Sequence, residues 1–159
     1  MSAGTATTLL KFLADNLDVW ATARRGSVSI AQDPYHVLEL LNQKPNGFRV
    51  IVHWKGDDAE AAPWSGITSN NIEIIVTYNR GLFIKPGGEL ITPRGGQPPL
   101  YEILGDLRAH VRNLQIPIAA DMQNPWLQYR GTDVQNAPDG VPLDAYVTKW
   151  SIAARLESE

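Results

Sequence analysis

Apolar residues recur with helical spacing near the start of the chain. Four leucines between residues 9 and 17 fall on one face of a helix that we predict over 6–18. A second, short helix is predicted to begin at Asp33-Pro34 and to end near Leu41, because Asp is a good N-cap and Pro suits the first helical position. Between the two helices, the alternating residues 27–30 predict a short strand.

Three later segments alternate between apolar and other residues in the way that strands do. They cover 48–55, 71–80 and 144–156, and the first two each carry one fully apolar face and one mixed face. This pattern favours an antiparallel sheet that helices cover on one side. The longest apolar stripe with helical spacing predicts a covering helix over 99–115, and the stretch 118–143 is predicted to be irregular.

The segment 80–97 fits neither pattern. Two apolar triplets, 82–84 and 89–91, flank Lys85-Pro86-Gly87-Gly88, which predicts an arm or hairpin that projects from the sheet. Because these apolar residues have no place in a small core, we expect a partner to cover them. The whole chain, 1–159, is then predicted to be one α+β domain with a mixed, mainly antiparallel sheet, flanking helices and a projecting arm.

Composition and charge exclude several classes of function. A chain of 159 residues with 43% hydrophobic and 19% charged residues is expected to fold, and a net charge of −3 indicates no surface for nucleic acid. The absence of Cys excludes disulfides, thiolate zinc sites and a Cys nucleophile. The longest apolar runs are far shorter than the roughly 20 residues of a membrane-spanning helix. We therefore expect neither a membrane nor specific nucleic-acid recognition.

Candidate catalytic or metal-binding residues are few. The sequence contains no nucleotide-binding glycine loop, no zinc-protease motif and no serine-hydrolase motif. His53, followed by acidic residues between 57 and 60, comes nearest to a metal-ligand cluster, but a solvated strand end with a polar turn explains it better. Glu102 and Asp106 lie one helical turn apart, where the helix dipole accounts for them. We expect no catalytic residue, no metal and no cofactor.

Aromatic and charged residues outside the predicted core favour protein–protein contact. Trp64 and Trp126 lie in predicted loops, where exposed aromatic residues are common interface anchors, and no basic groove suggests base stacking. Charge pattern on such surfaces discriminates between partners. The predicted interface comprises Arg80, Phe83, Lys85, Arg94, Asp57, Asp58, Trp64 and Trp126.

Four features follow one another in a characteristic order. They are the leucine-rich opening helix from Leu9 to Leu17, the strand Phe48-Arg49-Val50-Ile51-Val52-His53-Trp54, the amphipathic helix from Leu100 to Leu114 after a Gly/Pro-rich arm, and the closing strand from Tyr146 to Arg155. In this order and pattern the chain resembles the tail terminator family of long-tailed bacteriophages. The arm at 80–99 and the loop at 116–143 distinguish it from the compact members of that family.

The resemblance implies a structural virion protein that forms a ring of six copies and has neither enzyme activity nor a cofactor. Such a ring caps the growing tail tube, stops its polymerisation and presents a surface to the head connector. The partners it implies are further copies of this chain, the tail tube protein and a connector or neck protein. The expected location is the tail or neck of the virion, assembled in the host cytoplasm.

Three alternatives remain open from the residues alone. The chain is a different ring component, namely a neck or head-completion protein; or it is a small α+β enzyme whose site uses Glu102, Asp106 or His53; or it is a soluble ligand-binding module. A protein that is oligomeric in solution, binds no metal and shows no enzymatic turnover would favour the ring components over the enzyme and the ligand-binding module.

Overall fold

The computed structural model describes residues 5–41, 48–59, 66–79, 100–120, 123–135 and 143–155. These residues form three helices and a five-stranded mixed sheet that is mostly antiparallel, which confirms the predicted α+β class. The elements in chain order are α1 (Ala6–Thr22), β1 (Gly26–Ala31), α2 (Pro34–Leu41), β2 (Phe48–Ala59), β3 (Thr68–Asn79), α3 (Leu100–Arg112), β4 (Gln128–Gln135) and β5 (Leu143–Ala154).

Side-chain caps fix where the first two helices begin. Thr5 and Thr8 form a capping box at α1: the Thr5 hydroxyl accepts from the Thr8 backbone N–H at 3.1 Å, and the Thr8 hydroxyl accepts from the Thr5 N–H. At α2 the Asp33 carboxylate accepts from the His36 backbone N–H at 2.8 Å. The Asp-Pro start of α2 is therefore confirmed, because Asp33 satisfies a backbone donor that the helix leaves unpaired.

The strand order across the sheet is β1-β2-β3-β5-β4. β1 and β2 run parallel, with α2 as their connection, and every other neighbouring pair runs antiparallel. Gly26, the first residue of β1, pairs with Phe48 of β2, and a Cβ at Gly26 would come within 2.3 Å of the Phe48 ring. Glycine is therefore required where the two strands begin.

One face of the sheet, called here the core face, packs against α1 and α3. Alternate strand residues pair across it, such as Val50 with Val76 and Val52 with Ile74. Trp20 of α1 contacts the Phe48 ring at a centroid distance of 5.9 Å. The fully buried side chains on this face include Leu9, Leu13, Leu17, Phe48, Ile72, Ile74, Tyr78, Ile103 and Trp150.

The opposite face, called here the α2 face, carries a smaller apolar cluster. Leu40 of α2 packs with Ala31, Ile51, Ile75 and Val147 from four adjacent strands. The expectation that helices cover one side only is therefore wrong. The parallel β1–β2 pair needs a crossover connection, and α2 returns over this second face.

Two further expectations about elements are wrong. The stretch 118–143 is not irregular throughout, because it contains β4, an edge strand with few apolar residues and a bulge between Tyr129 and Gly131. The segment 56–59 is not a turn, since β2 continues to Ala59 and pairs with β3 beyond a bulge between Trp54 and Asp57. Edge position and bulges weaken the alternation by which strands are recognised in a sequence.

Candidate functional site

Part of the α2 face carries a row of alternating basic and acidic side chains, called here the polar ladder. It crosses four neighbouring strands and consists of His53 on β2, Glu73 on β3, Lys149 on β5 and Asp133 on β4. His53 is the direct partner of Glu73 in the sheet register, and Glu73 is the direct partner of Lys149. Opposite charges placed across strands in this way stabilise the pairing of the strands.

Glu73 is the central acid of the polar ladder. Its two carboxylate oxygens lie 3.4 Å from His53 Nδ1 and 3.4 Å from Lys55 Nζ, and its side chain is only 13% exposed. The hydrogen bond with His53 lowers the pKa of Glu73 from its ordinary value of 4.5; burial opposes this shift and Lys55 reinforces it. Glu73 is therefore held as a carboxylate at neutral pH.

The far end of the polar ladder is more exposed. Lys149 Nζ forms an ion pair with Asp133, and the hydrogen bond to this carboxylate raises the pKa of Lys149. Arg130 donates from Nε to the Ser151 hydroxyl at 2.8 Å on the same face. Exposed pairs of this kind add little stability, so their contribution is to the charge pattern of the surface.

A cleft of about 480 Å³ separates α2 from the His53 end of the polar ladder. Its apolar lining comes mainly from α2, β3 and β5, and its polar lining comes from the start of α2 and from β2 and β3. The lining residues are Gln32, Asp33, Val37, Leu41, His53, Trp54, Lys55, Gly56, Glu73, Ile75 and Val147. The volume is within the range of sites that hold a small ligand or an anchoring side chain.

The chemistry that this cleft offers is acid–base pairing and apolar contact. A histidine oriented by a carboxylate is one component of a general base, but the lining residues that the structure describes include no Ser, Thr, Cys or Tyr to act as a nucleophile. Within the described ranges, no group of three His, Cys, Asp or Glu side chains is arranged to hold a metal ion. The arrangement is suited to binding an apolar group that carries a charge.

The structure separates the acidic residues that the sequence placed together. His53 contacts Glu73 rather than Asp57 or Asp58. Asp58 instead accepts a hydrogen bond from the Asn71 amide at 3.0 Å, and Asp57 is exposed. Both aspartates lie within β2, so the expectation of an acidic turn at this place is wrong.

The carboxylates of α3 face away from the cleft. Asp106 lies 3.5 Å from Arg24, next to the end of α1, and Glu102 is exposed in the first turn of the helix. The Arg24 side chain also lies 4.7 Å from the centre of the Trp20 ring. Asp106 thus contributes to the contact between α1 and α3, and the two carboxylates share no site.

Three of the predicted interface residues lie within the described residues, and the other five do not. Trp126 lies between α3 and β4 in an isolated bridge with Gln115, and it is 37% exposed. Asp57 and Asp58 lie within β2. The remaining predicted interface residues lie outside the described residues, and they are Trp64, Arg80, Phe83, Lys85 and Arg94.

Sequence reasoning did not single out Glu73, Lys149 or Asp133. The signal for the first two was present, because the strand alternation at 71–80 and 144–156 places Glu73 and Lys149 on the mixed faces. Asp133 lies in the unrecognised strand β4, so only the structure could bring it to Lys149.

Another polar cluster lies on the core face beside α3. The Tyr129 ring packs against Trp150 and lies beneath the guanidinium groups of Arg108 and Arg112, at 5.8 and 5.3 Å from its centre. Burial raises the pKa of Tyr129, but hydrogen bonds with Thr132 and Arg108 outweigh it and the net shift is downward. This cluster anchors α3 to the edge strand β4.

The sequence matches no protein-family model and no curated protein. In the part of the chain that the structure describes, no helix combines the length and the apolar character that crossing a membrane requires. Function is therefore inferred from the residues, the fold and the surfaces of the chain itself.

Proposed function

We propose that this chain is a structural subunit of a bacteriophage tail: a tail terminator whose ring caps the tail tube, stops its polymerisation and binds the head connector. The proposal begins from the sequence resemblance, which implies a mixed sheet flanked by helices. The described fold is of that class. The proposed partners are further copies of the chain, the tail tube protein and a connector or neck protein, in the tail or neck of the virion.

The observation that carries the proposal is the presence of exposed apolar residues near opposite edges of the sheet. Val19 is 76% exposed on α1, the helix that packs over β1 and β2. Val134 is 60% exposed on β4, which forms the other edge of the sheet. Contact between two different surfaces of identical subunits is heterologous, and a heterologous contact closes into a ring when the rotation allows it.

The polar ladder supports a role in choosing partners. A terminator binds the growing end of a tube with one surface and offers a different surface to the next component. Alternating charges that are already paired within the subunit give such a surface a fixed pattern, which suppresses contact with wrongly charged partners. This pairing within the polar ladder explains the His53–Glu73 contact, which then needs no catalytic role.

Electron microscopy tests the proposal directly. Purified protein added to polymerised tail tubes is expected to form a six-membered ring at one end of each tube and to stop further growth. Phage particles that lack the protein are expected to contain tails of uncontrolled length without heads. Tails of normal length that fail to join heads would contradict the terminator and favour a neck or head-completion protein.

A test of the enzyme alternative uses the same assay. Among the described residues, His53 is the histidine that lines the cleft; His53→Gln removes it but keeps a hydrogen-bond donor for Glu73, so the variant is expected to cap tubes as well as the parent chain does. Chelator is also expected to leave capping unchanged. Loss of capping after removal of a stoichiometric metal would contradict the non-enzymatic proposal.

A further inference from the structure

We propose that the ring contact joins the outer face of α1 in one copy of the chain to the α3–β4 edge of the next copy, through opposite charges that surround Val19 and Val134. The inference rests on the proposed function, because it identifies the residues by which neighbouring subunits of the ring bind each other.

The outer face of α1 carries two acidic residues around Val19. Asp18 and Val19 follow Asp15 by three and four residues, so the three side chains are neighbours on the side of the helix that points away from the buried leucines. Both aspartates are exposed, and among the described residues neither forms an ion pair. This surface, called here the acidic face, presents two carboxylates beside an exposed apolar side chain.

The cations nearest to the acidic face in sequence lie to its side or are already paired. Lys11 precedes Val19 by eight residues, or about 12 Å along the helix axis. Arg24 forms an ion pair with Asp106 at 3.5 Å, and Arg25 lies beyond the end of α1. The surroundings of Val19 are therefore negative.

The α3–β4 edge carries two arginines. Arg108 and Arg112 lie one helical turn apart on α3, and both guanidinium groups lie over the Tyr129 ring. In the parts of the chain that the structure describes, neither arginine forms an ion pair with a carboxylate. A cation–π contact holds a guanidinium group in place without cancelling its charge, so this edge is positive.

Val134 belongs to the same edge. Tyr129, Thr132 and Val134 of β4 pair with alternate residues of β5 that all belong to the core face, where α3 lies. Arg108 donates to the Tyr129 hydroxyl at 3.5 Å, and this hydroxyl shares a hydrogen bond with Thr132. Val134 follows Thr132 by two strand positions, or about 7 Å. The exposed valine and the two arginines thus form one surface, called here the basic edge.

The acidic face and the basic edge are complementary in charge, and each presents a valine. Opposite charges favour contact between the two surfaces, whereas two acidic faces or two basic edges repel each other. Charge therefore selects the heterologous contact that a ring requires over a symmetric dimer. Since α1 packs over β1 and β2 and β4 forms the opposite edge of the sheet, the partner of each surface is a second copy.

Charge reversal tests the inference in rings assembled on tail tubes. Asp15→Arg with Asp18→Arg, and Arg108→Glu with Arg112→Glu, are each expected to lower the yield of closed rings about tenfold or more. The variant with all four changes is expected to restore ring closure, because the facing charges are opposite again. Glu39→Arg, at an exposed position of α2, is the matched control and is expected to assemble as the parent chain does.

Circular dichroism shows whether each variant is folded. Because the arginines also contact Tyr129, Arg112→Glu with Asp18→Arg replaces the fourfold variant if Arg108→Glu prevents folding. Rings that close despite either reversal, or folded variants whose combination fails to restore rings, overturn the inference and leave the proposed function intact. The absence of rings from the unmodified chain on tubes contradicts the proposed function as well.

Engineered disulfides test the contact without changing a charge, because the natural chain has no cysteine. Val19→Cys and Val134→Cys are placed on separate chains, mixed in equal amounts and oxidised while rings assemble on tubes. We expect a disulfide-linked dimer that forms about tenfold or more faster than with Glu39→Cys in place of Val19→Cys, since docking raises the effective concentration of the thiols. Equal rates would overturn the inference, and so would equally fast linkage of Val134→Cys chains to each other.

Discussion

The core face and the α2 face are built on the same strands but differ in what they bury. On β3 and β5, the core face carries Ile74, Val76 and Trp150, all of them buried, whereas the α2 face alternates buried Ile75 and Val147 with charged Glu73 and Lys149. The first face gains stability from apolar burial, at about 25 cal/mol per Å². The second combines a small apolar cluster with a charge pattern. The difference indicates that one face holds the fold together, and we propose that the other meets partners.

The sharpest test of this comparison uses two neighbouring residues of β5. Trp150 is 1% exposed on the core face, and Trp150→Ala is expected to lower the free energy of unfolding by about 3–5 kcal/mol, because it leaves a large cavity. Lys149 lies next to it on the α2 face, and Lys149→Ala is expected to leave the free energy of unfolding nearly unchanged, because surface substitutions of this kind have small effects. Urea unfolding of the two variants measures both values. Similar losses would show that the two faces do not differ as described.

A pair of glycines tests packing where α1 meets the sheet. Gly26→Ala places a methyl group against the buried Phe48 ring, and it is expected to cost about 1–3 kcal/mol through overpacking. Gly105→Ala is the matched control: it lies within α3, where a Cβ meets open space, and it is expected to stabilise the protein by up to about 1 kcal/mol. Thermal unfolding shows whether each substitution lowers or raises Tm. An unchanged Tm for Gly26→Ala would contradict the close approach of the Phe48 ring to Gly26.

The polar ladder predicts a pH dependence of stability in the acid range. Because the folded state lowers the pKa of Glu73, its carboxylate adds stability above about pH 4.5, and this part is lost as pH falls through the folded pKa. Glu73→Gln is therefore expected to be less stable than the parent chain at pH 7, by about 1 kcal/mol, with the gap narrowing below pH 4.5. Chemical unfolding at several pH values gives this difference. The exposed Glu39→Gln on α2 is the control, and a gap that widens in acid would contradict the assignment.

The smallest effect on stability is expected at the predicted interface. Reversing Arg80 and Lys85 to Glu is expected to change the free energy of unfolding by under about 0.5 kcal/mol, yet to prevent ring assembly and yield tails of uncontrolled length. Calorimetry and electron microscopy measure the two results. Infectious particles with tails of normal length would remove both residues from the mechanism, although the ring could still form by other contacts.

How far the sequence predicted the structure depended on the regularity of each pattern. The leucines of α1, the Asp-Pro start of α2 and the stripe of α3 predicted helices that are present, and the alternation in β2, β3 and β5 predicted strands. β4 was missed because an edge strand with a bulge at Gly131 has few buried positions to reveal it. Strand pairing joins residues far apart in sequence, so the His53–Glu73 contact and the cleft could be found only in the folded chain.

The bulge in β2 has a consequence for how the α2 face ends. Up to Lys55, the odd-numbered residues of β2 point to that face; beyond the bulge the phase is inverted, so Asp58, and not Asp57, contacts Asn71 there. Gly56, with φ of 105°, occupies the backbone conformation that makes this inversion possible. Closing the bulge by a one-residue slip of the strand, without a deletion, would restore the original phase and exchange the two positions. Since both residues are aspartates, the surface would receive a carboxylate in either phase. A one-residue slip of the strand would therefore leave the charge of this surface unchanged.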